Sequence, residues 1–186
     1  TLKDDLFRRD FTINAMALCL NKDHFGELID YYGGLRDLEQ GEIRFLHNLS
    51  FFDDPTRILR AVRFAGRYRF RFAKVTKDAI GTALKEKVLT KISPERFTEE
   101  LFLIYNEQNY LVMGRILEEY GVLESWFGEK YPWNFSIEND RAGEWELARK
   151  WLLSLININE TGIRKILGKL RIDKHLHRLT LEYLNF

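Results

Sequence analysis

The sequence predicts an α+β fold that is mostly α, and three observations predict it. Strand and turn signals are confined to about the first 48 residues. Apolar patterns of helical period, two of them behind a clear start signal, fill the remainder. Hydrophobic residues make up 45% of the 186, enough to bury one large core or two smaller ones. Composition shifts after about residue 48 from a mixed α/β segment to a helical one, within which residues 128–140 are the candidate loop between subdomains.

In chain order, residues 14–20 are apolar and rich in Ala and Met, which reads as a short helix. Residues 27–32 read as a strand entering the turn at Gly33-Gly34. From Asp53 onward strand signals vanish. Asp54 followed by Pro55 marks a helix start, because proline loses nothing at the first helical position and an acid there accepts otherwise unpaired N–H groups. The helices so predicted run 55–70, 76–87, 94–106, 109–120, 141–155, 160–170 and 173–184. Ser93-Pro94 repeats the start logic, and Gly121 sits where a helix should stop. Residues 128–140, with Pro132, read as a loop.

Charge and cysteine usage exclude some classes. Lys and Arg number 29 against 28 acids, a net charge of +1, so any contact with nucleic acid must come from a local basic face. The single cysteine, Cys19, has no internal disulfide partner, which fits a reducing compartment. No apolar run approaches the roughly 18 residues a membrane helix needs, and no signal peptide is visible. The expectation is a cytoplasmic protein with no membrane partner. A chain that opens at Thr1 on a dense polar motif also reads as one preceded by further residues.

The local basic face lies on the helix that begins at Pro55. Arg57, Arg60, Arg63 and Arg67 fall within an arc of roughly 120°, with Ile58, Val62 and Ala65 opposite. Four like charges on one stripe repel, so helix stability alone does not favour them, whereas an anionic ligand would. Asp54 and Arg57 stand one turn apart at the start of this helix. A carboxylate accepts hydrogen bonds and a guanidinium donates them. Adenine and cytosine each present an amino donor beside a ring-nitrogen acceptor, and guanine and uracil present the reverse. An Asp–Arg pair therefore matches A and C and leaves unpaired polar groups against G and U, which is costly.

Several motifs then resemble those of the class II tRNA nucleotidyltransferases (CCA-adding enzymes) and bacterial poly(A) polymerases. Residues 8–17 read RRDFTINAMA. Asp30, Gly33-Gly34, Asp37-Leu38, Gly41 and Ile43-Arg44 form the next stretch, and residues 53–65, DDPTRILRAVRFA, resemble the family's EDxxR template element. Ser93-Pro94-Glu95-Arg96 with Glu99-Glu100-Leu101 is similar to the motif that follows, and residues 115–123 to the helical body. The resemblance covers residues 1 to about 128, with the motifs in family order. It implies the end of a nucleotidyltransferase palm domain (1–50), a helical neck carrying the template helix (51–108) and part of a helical body (109–186). Arg9 would contact the triphosphate of the incoming nucleotide, Asp54 and Arg57 would read its base, and Arg60 and Arg63 would support the nucleotide. Arg8, Asp10 and Asn14 would organise the pocket, and Arg96, with Glu99 or Glu100, would tie the neck together. The implied reaction joins C or A from CTP or ATP to a tRNA 3′ end and releases pyrophosphate. Its Mg2+ ions would be bound by paired aspartates upstream of these motifs, since no acid-x-acid pair here replaces them. One departure is Asp53, where the family usually has Glu. CCA, A-only, CC-only and poly(A) addition stay undivided, and a non-catalytic helical RNA-binding module is the alternative from another class.

Other features read as structural. Trp126, Trp133, Trp145 and Trp151 are assigned to the core, not to base stacking. Arg164, Lys165, Lys169, Arg171, Lys174 and Arg178 read as a solvated basic face, with a tRNA-backbone contact as the other reading. His175 and His177 lack partners for a metal site.

Overall fold

The computed structural model describes residues 1–135 and 146–184. The chain folds as two units, Thr1–Glu86 and Lys87–Phe186. The helix that begins after Pro55 belongs to the first of them, so the segments expected as 1–50 and 51–108 share a unit up to residue 86.

In the first unit, α1 (Leu2–Phe7) begins with a reciprocal capping box between Thr1 and Asp4. A 3-10 turn at Thr12–Asn14 leads into β1 (Met16–Leu18), which pairs antiparallel with β2 (Leu28–Asp30), Met16 opposite Asp30. The short helix expected at 14–20 is thus corrected to a turn and a strand. Seven residues cannot sustain a helix by propensity alone, and pairing with residues 28–30 decides the matter. After β2 the chain turns through Gly33, at φ 76°, into α2 (Gly34–Glu39). Gly34 has no alternative: a Cβ there would collide with the Thr12 carbonyl oxygen.

β3 (Glu42–Ile43) follows, then α3 (Ser50–Asp53) and α4 (Thr56–Tyr68). Ile58, Leu59, Ala61, Val62 and Ala65 form the buried face of α4. Arg69 ends the helix in the left-handed conformation, its N–H bonded to the Ala65 carbonyl. β4 (Arg71–Phe72) then pairs parallel with β3, and α5 (Lys74–Lys85) closes the unit. The absence of strands expected after Asp53 is corrected by β4, whose two residues are too short to show a period.

The second unit is helical: α6 (Pro94–Tyr105), α7 (Tyr110–Glu119), α8 (Val122–Phe127), α9 (Glu146–Leu155), α10 (Glu160–Lys169) and α11 (Lys174–Tyr183). Ser93 caps α6 through the Arg96 N–H, with Pro94 at the first position. Trp126 stacks flat on Phe97 with ring centroids 3.9 Å apart. Trp151 is fully buried, and its Nε1 donates to Thr180 Oγ1 at 2.9 Å. Trp133 is buried as well, whereas Trp145 and residues 141–145 of the expected helix lie outside the described residues. Of the expected loop at 128–140, residues 128–135 are described and hold neither helix nor strand. No helix among the described residues is long and apolar enough to cross a membrane.

Candidate functional site

A cleft of about 540 Å³ opens in the first unit, lined by Arg8, Arg9, Asp10, Asn14, Asp54, Arg57, Arg60 and Phe64. That volume lies in the range of small-ligand pockets. Four guanidinium groups face two carboxylates, so the lining is net cationic and suited to an anionic ligand.

Buried acids hold this lining in place. Asp37 is fully buried, accepts from Thr12 Oγ1 at 2.7 Å and from Arg44 Nε at 3.0 Å, and so fastens α2 to the segment after Arg8-Arg9-Asp10. The Thr12 N–H to Arg44 carbonyl bond, 2.9 Å, runs alongside. Asp30 Oδ1 accepts from the N–H groups of Tyr32 and Gly34, and Oδ2 from that of Leu35, satisfying first-turn donors of α2. Burial pushes the Asp30 carboxyl up, and the N–H groups of Leu35, Gly34, Tyr32 and Gly33 together outweigh it, so the acid sits below its usual range. The Asp30…Arg44 motif is therefore the scaffold that aims the residues before it.

Asp10, 6% exposed, links that segment to α4. Its Oδ1 accepts from the Phe11 N–H at 3.0 Å and from Asn14 Nδ2 at 2.8 Å. Its Oδ2 accepts from Arg60 Nε at 2.9 Å and Nη2 at 2.6 Å. Asp10 is buried but Arg60 is a third exposed, so losing Arg60 costs less than the roughly 3 kcal/mol of breaking a fully buried pair, and Asp10 keeps its Phe11 and Asn14 donors. Arg60 thus lines the cleft while anchoring Asp10.

Asp54 stands between α3 and α4, and its Oδ1 accepts from the Thr56 N–H and hydroxyl, at 3.2 and 2.7 Å. The acid therefore does cap the helix start. Arg57 donates from Nη1 to Ser50 Oγ at 2.6 Å, places the same nitrogen 3.4 Å from His47 Nε2, and donates from Nη2 to the Arg8 carbonyl at 3.2 Å. Arg8 and Arg9 both reach Asp5, at 2.6 and 3.3 Å.

The structure thus gathers Arg8, Arg9, Asp10, Asn14, Asp54, Arg57 and Arg60 on one cleft. Arg63 is 8% exposed and is not among the residues that line the cleft. It lies at the edge of the arginine arc, with its guanidinium 5.6 Å from the Phe64 ring centroid. Arg96 is exposed in the first turn of α6, in the second unit. Sequence reasoning missed His47, Ser50, Phe64 and Asp5. Phe64 stood inside the template motif, whereas His47, ten residues before Arg57, left no pattern to follow.

The second unit has a cavity of about 440 Å³ lined by Glu95, Glu99, Asp173 and Arg171 among others, with Arg171 already paired to Glu95. That acidic lining does not suit a phosphate. Among the described residues no group of three His, Cys, Asp or Glu could hold a metal, and both Asp10 oxygens are engaged by protein donors. The residues present do not fit the Mg2+ that the resemblance implies.

One family description takes in Arg8, Arg9, Asp10 and Asn14 of the cleft lining. The family description "Poly A polymerase head domain" matches residues 1–44. The A-adding tRNA nucleotidyltransferase of Aquifex aeolicus (strain VF5) is 45% identical over 137 residues, 74% of this chain and 16% of that protein. The Multifunctional CCA protein of Neisseria meningitidis serogroup C (strain 053442) is 41% identical over 124 residues, 67% of this chain and 28% of that protein. A crystal structure of a tRNA nucleotidyltransferase complexed with a primer tRNA and an incoming ATP analog superposes with a TM-score of 0.84 at 32% identity, covering 100% of this chain and 58% of that one. The chain spans less than two thirds of each of these relatives. Matching motifs, a matching fold and the arginine-lined cleft they build lead to one conclusion: the chain belongs to the family of tRNA nucleotidyltransferases and poly(A) polymerases.

Proposed function

We propose that this chain carries the nucleotide-selecting part of a template-independent RNA nucleotidyltransferase that adds A, or C and A, to the 3′ end of tRNA in the cytoplasm, with ATP and CTP as substrates and pyrophosphate as the product. The observation that supports it best is the placement of Asp54 and Arg57 together on an open cationic cleft. Arg57 has three of its five N–H donors engaged by Ser50, His47 and Arg8. Among the described residues that leaves its Nε–H and one N–H of Nη2 for a ligand. Asp54 supplies the acceptor that a base amino group requires. Arg8 and Arg9 lie on the same cleft and would meet the phosphates, Arg9 foremost. Mg2+ belongs to this proposal as a requirement of the whole protein, and no step is assigned to it here.

The test incubates the full-length protein with tRNA lacking its terminal nucleotides and each labelled nucleoside triphosphate in turn. Incorporation of A, or of C then A, with G and U rejected, is the expected result. Use of ATP alone, or of CTP followed by ATP, reads out which addition the protein makes. Asp54→Ala and Arg57→Ala should each lower the preference for the correct base about 100-fold and leave tRNA affinity within about twofold. An unchanged preference in both variants would overturn the template role.

A further inference from the structure

We infer that His47 and Ser50 are positioning residues for Arg57: together they form an acceptor cradle that decides which guanidinium donors face the cleft, and so they set base selection. The inference rests on the functional reading above and deepens it. A free arginine rotates through many conformers, and a base-reading arginine must present one edge. Here the far end of the guanidinium is fixed from three sides. Ser50, 1% exposed, opens α3, and its own N–H is tied to the His47 carbonyl at 2.9 Å. Its hydroxyl oxygen accepts from Arg57 Nη1 at 2.6 Å, the length of a charge-assisted bond. His47 Nε2 lies 3.4 Å from the same nitrogen, and the Arg8 carbonyl takes Nη2.

To accept from a guanidinium, His47 Nε2 must carry no proton, which places the ring proton on Nδ1. Nδ1 faces Asp53 Oδ2 at 3.8 Å, and the Phe7 ring packs against the imidazole with centroids 5.4 Å apart. The charged groups facing the ring are therefore Arg57, from α4, and Asp53, from α3.

The experiment measures, on the full-length protein with tRNA lacking its terminal nucleotides, the ratio of kcat/KM for ATP over GTP. Ser50→Ala and His47→Leu should each lower that ratio about 10- to 100-fold without changing tRNA affinity. His47→Gln, which keeps an acceptor near the Nε2 position, should restore the ratio. If Arg57→Ala abolishes selection while Ser50→Ala and His47→Leu leave it intact, the cradle is wrong and the functional reading stands. If Arg57→Ala itself leaves the ratio unchanged, both fall. Should Ser50→Ala fail to fold, the contrast between His47→Leu and His47→Gln carries the test, and equal ratios in those two overturn the role of His47.

Discussion

At the scale of single residues, the cleft shows how charge is held ready for a ligand without being locked away. Arg8 and Arg9 both rest on Asp5, whose carboxyl is held below its usual range by hydrogen bonds from Arg8 and then Arg9. All three side chains are largely in solvent, so these pairs are screened and weak, and a triphosphate carrying several charges would outcompete one carboxylate. We predict that Arg9→Ala in the full-length protein raises the apparent KM for ATP and CTP alike, by about tenfold, because a phosphate contact is blind to the base. Steady-state incorporation with each nucleotide checks it, and an effect confined to one nucleotide would make Arg9 a base reader instead. The residues proposed to read bases were accessible to sequence reasoning because donor and acceptor chemistry is written into Asp54 and Arg57. The residues that hold Arg57 were not. Ser50 lies in the stretch Asn48-Leu49-Ser50, whose composition reads only as a turn, and His47 reaches Arg57 only once α3 folds back on α4.

At the scale of elements, α2 depends on an acid outside it. Asp30 closes β2 and accepts from Tyr32, Gly34 and Leu35, so one carboxylate serves the turn and two first-turn donors of the helix. Its folded carboxyl lies below the usual value. The stability it contributes is therefore present above its unfolded pKa, near 4, and is lost as pH falls through the lower folded value. Asp30→Asn should lower stability at pH 7 by about 1 kcal/mol, and the gap from the native chain should narrow below roughly pH 4. Urea unfolding at pH 7 and pH 3 measures this, and a gap that persists or widens in acid refutes it. The long helices α4, α5, α6, α7, α10 and α11 were legible because the helical period holds over ten or more residues, with a start signal at α4 and α6 besides. The short elements were not. β1 carries a helix-like composition yet pairs with β2, and α8 hid behind Gly121, read as a stop, although that glycine begins the next helix at φ 66°. The Thr1…Asp4 capping box was a signal available in the sequence and left unread.

At the scale of the whole molecule, near-neutral charge forces any RNA contact to be local, and the ion pairs show where it is disfavoured. The basic residues of the last helices are largely committed within the second unit. Arg164 pairs with Glu160, Lys165 with Glu129, Arg171 with Glu95 and Arg178 with Glu182, and Lys169 donates to the Trp126 carbonyl. Lys165 is raised above its ordinary value by its hydrogen bond to Glu129, the mark of a cation already served by a carboxylate. Displacing such an acid costs little, as at Asp5, but a backbone phosphate carries one charge where a triphosphate carries several, so the exchange at this face gains less. A full-length protein carrying Arg164→Gln, Lys165→Gln and Arg178→Gln together should therefore bind tRNA with an unchanged slope of log affinity against log salt. Each lost phosphate contact would reduce that slope by about 0.7 to 0.9. Titrations between 50 and 200 mM salt resolve a difference of that size. A slope shallower by about 2 or more in the triple variant would mean that three phosphates sit on this face, and that the acids paired there give way when RNA arrives.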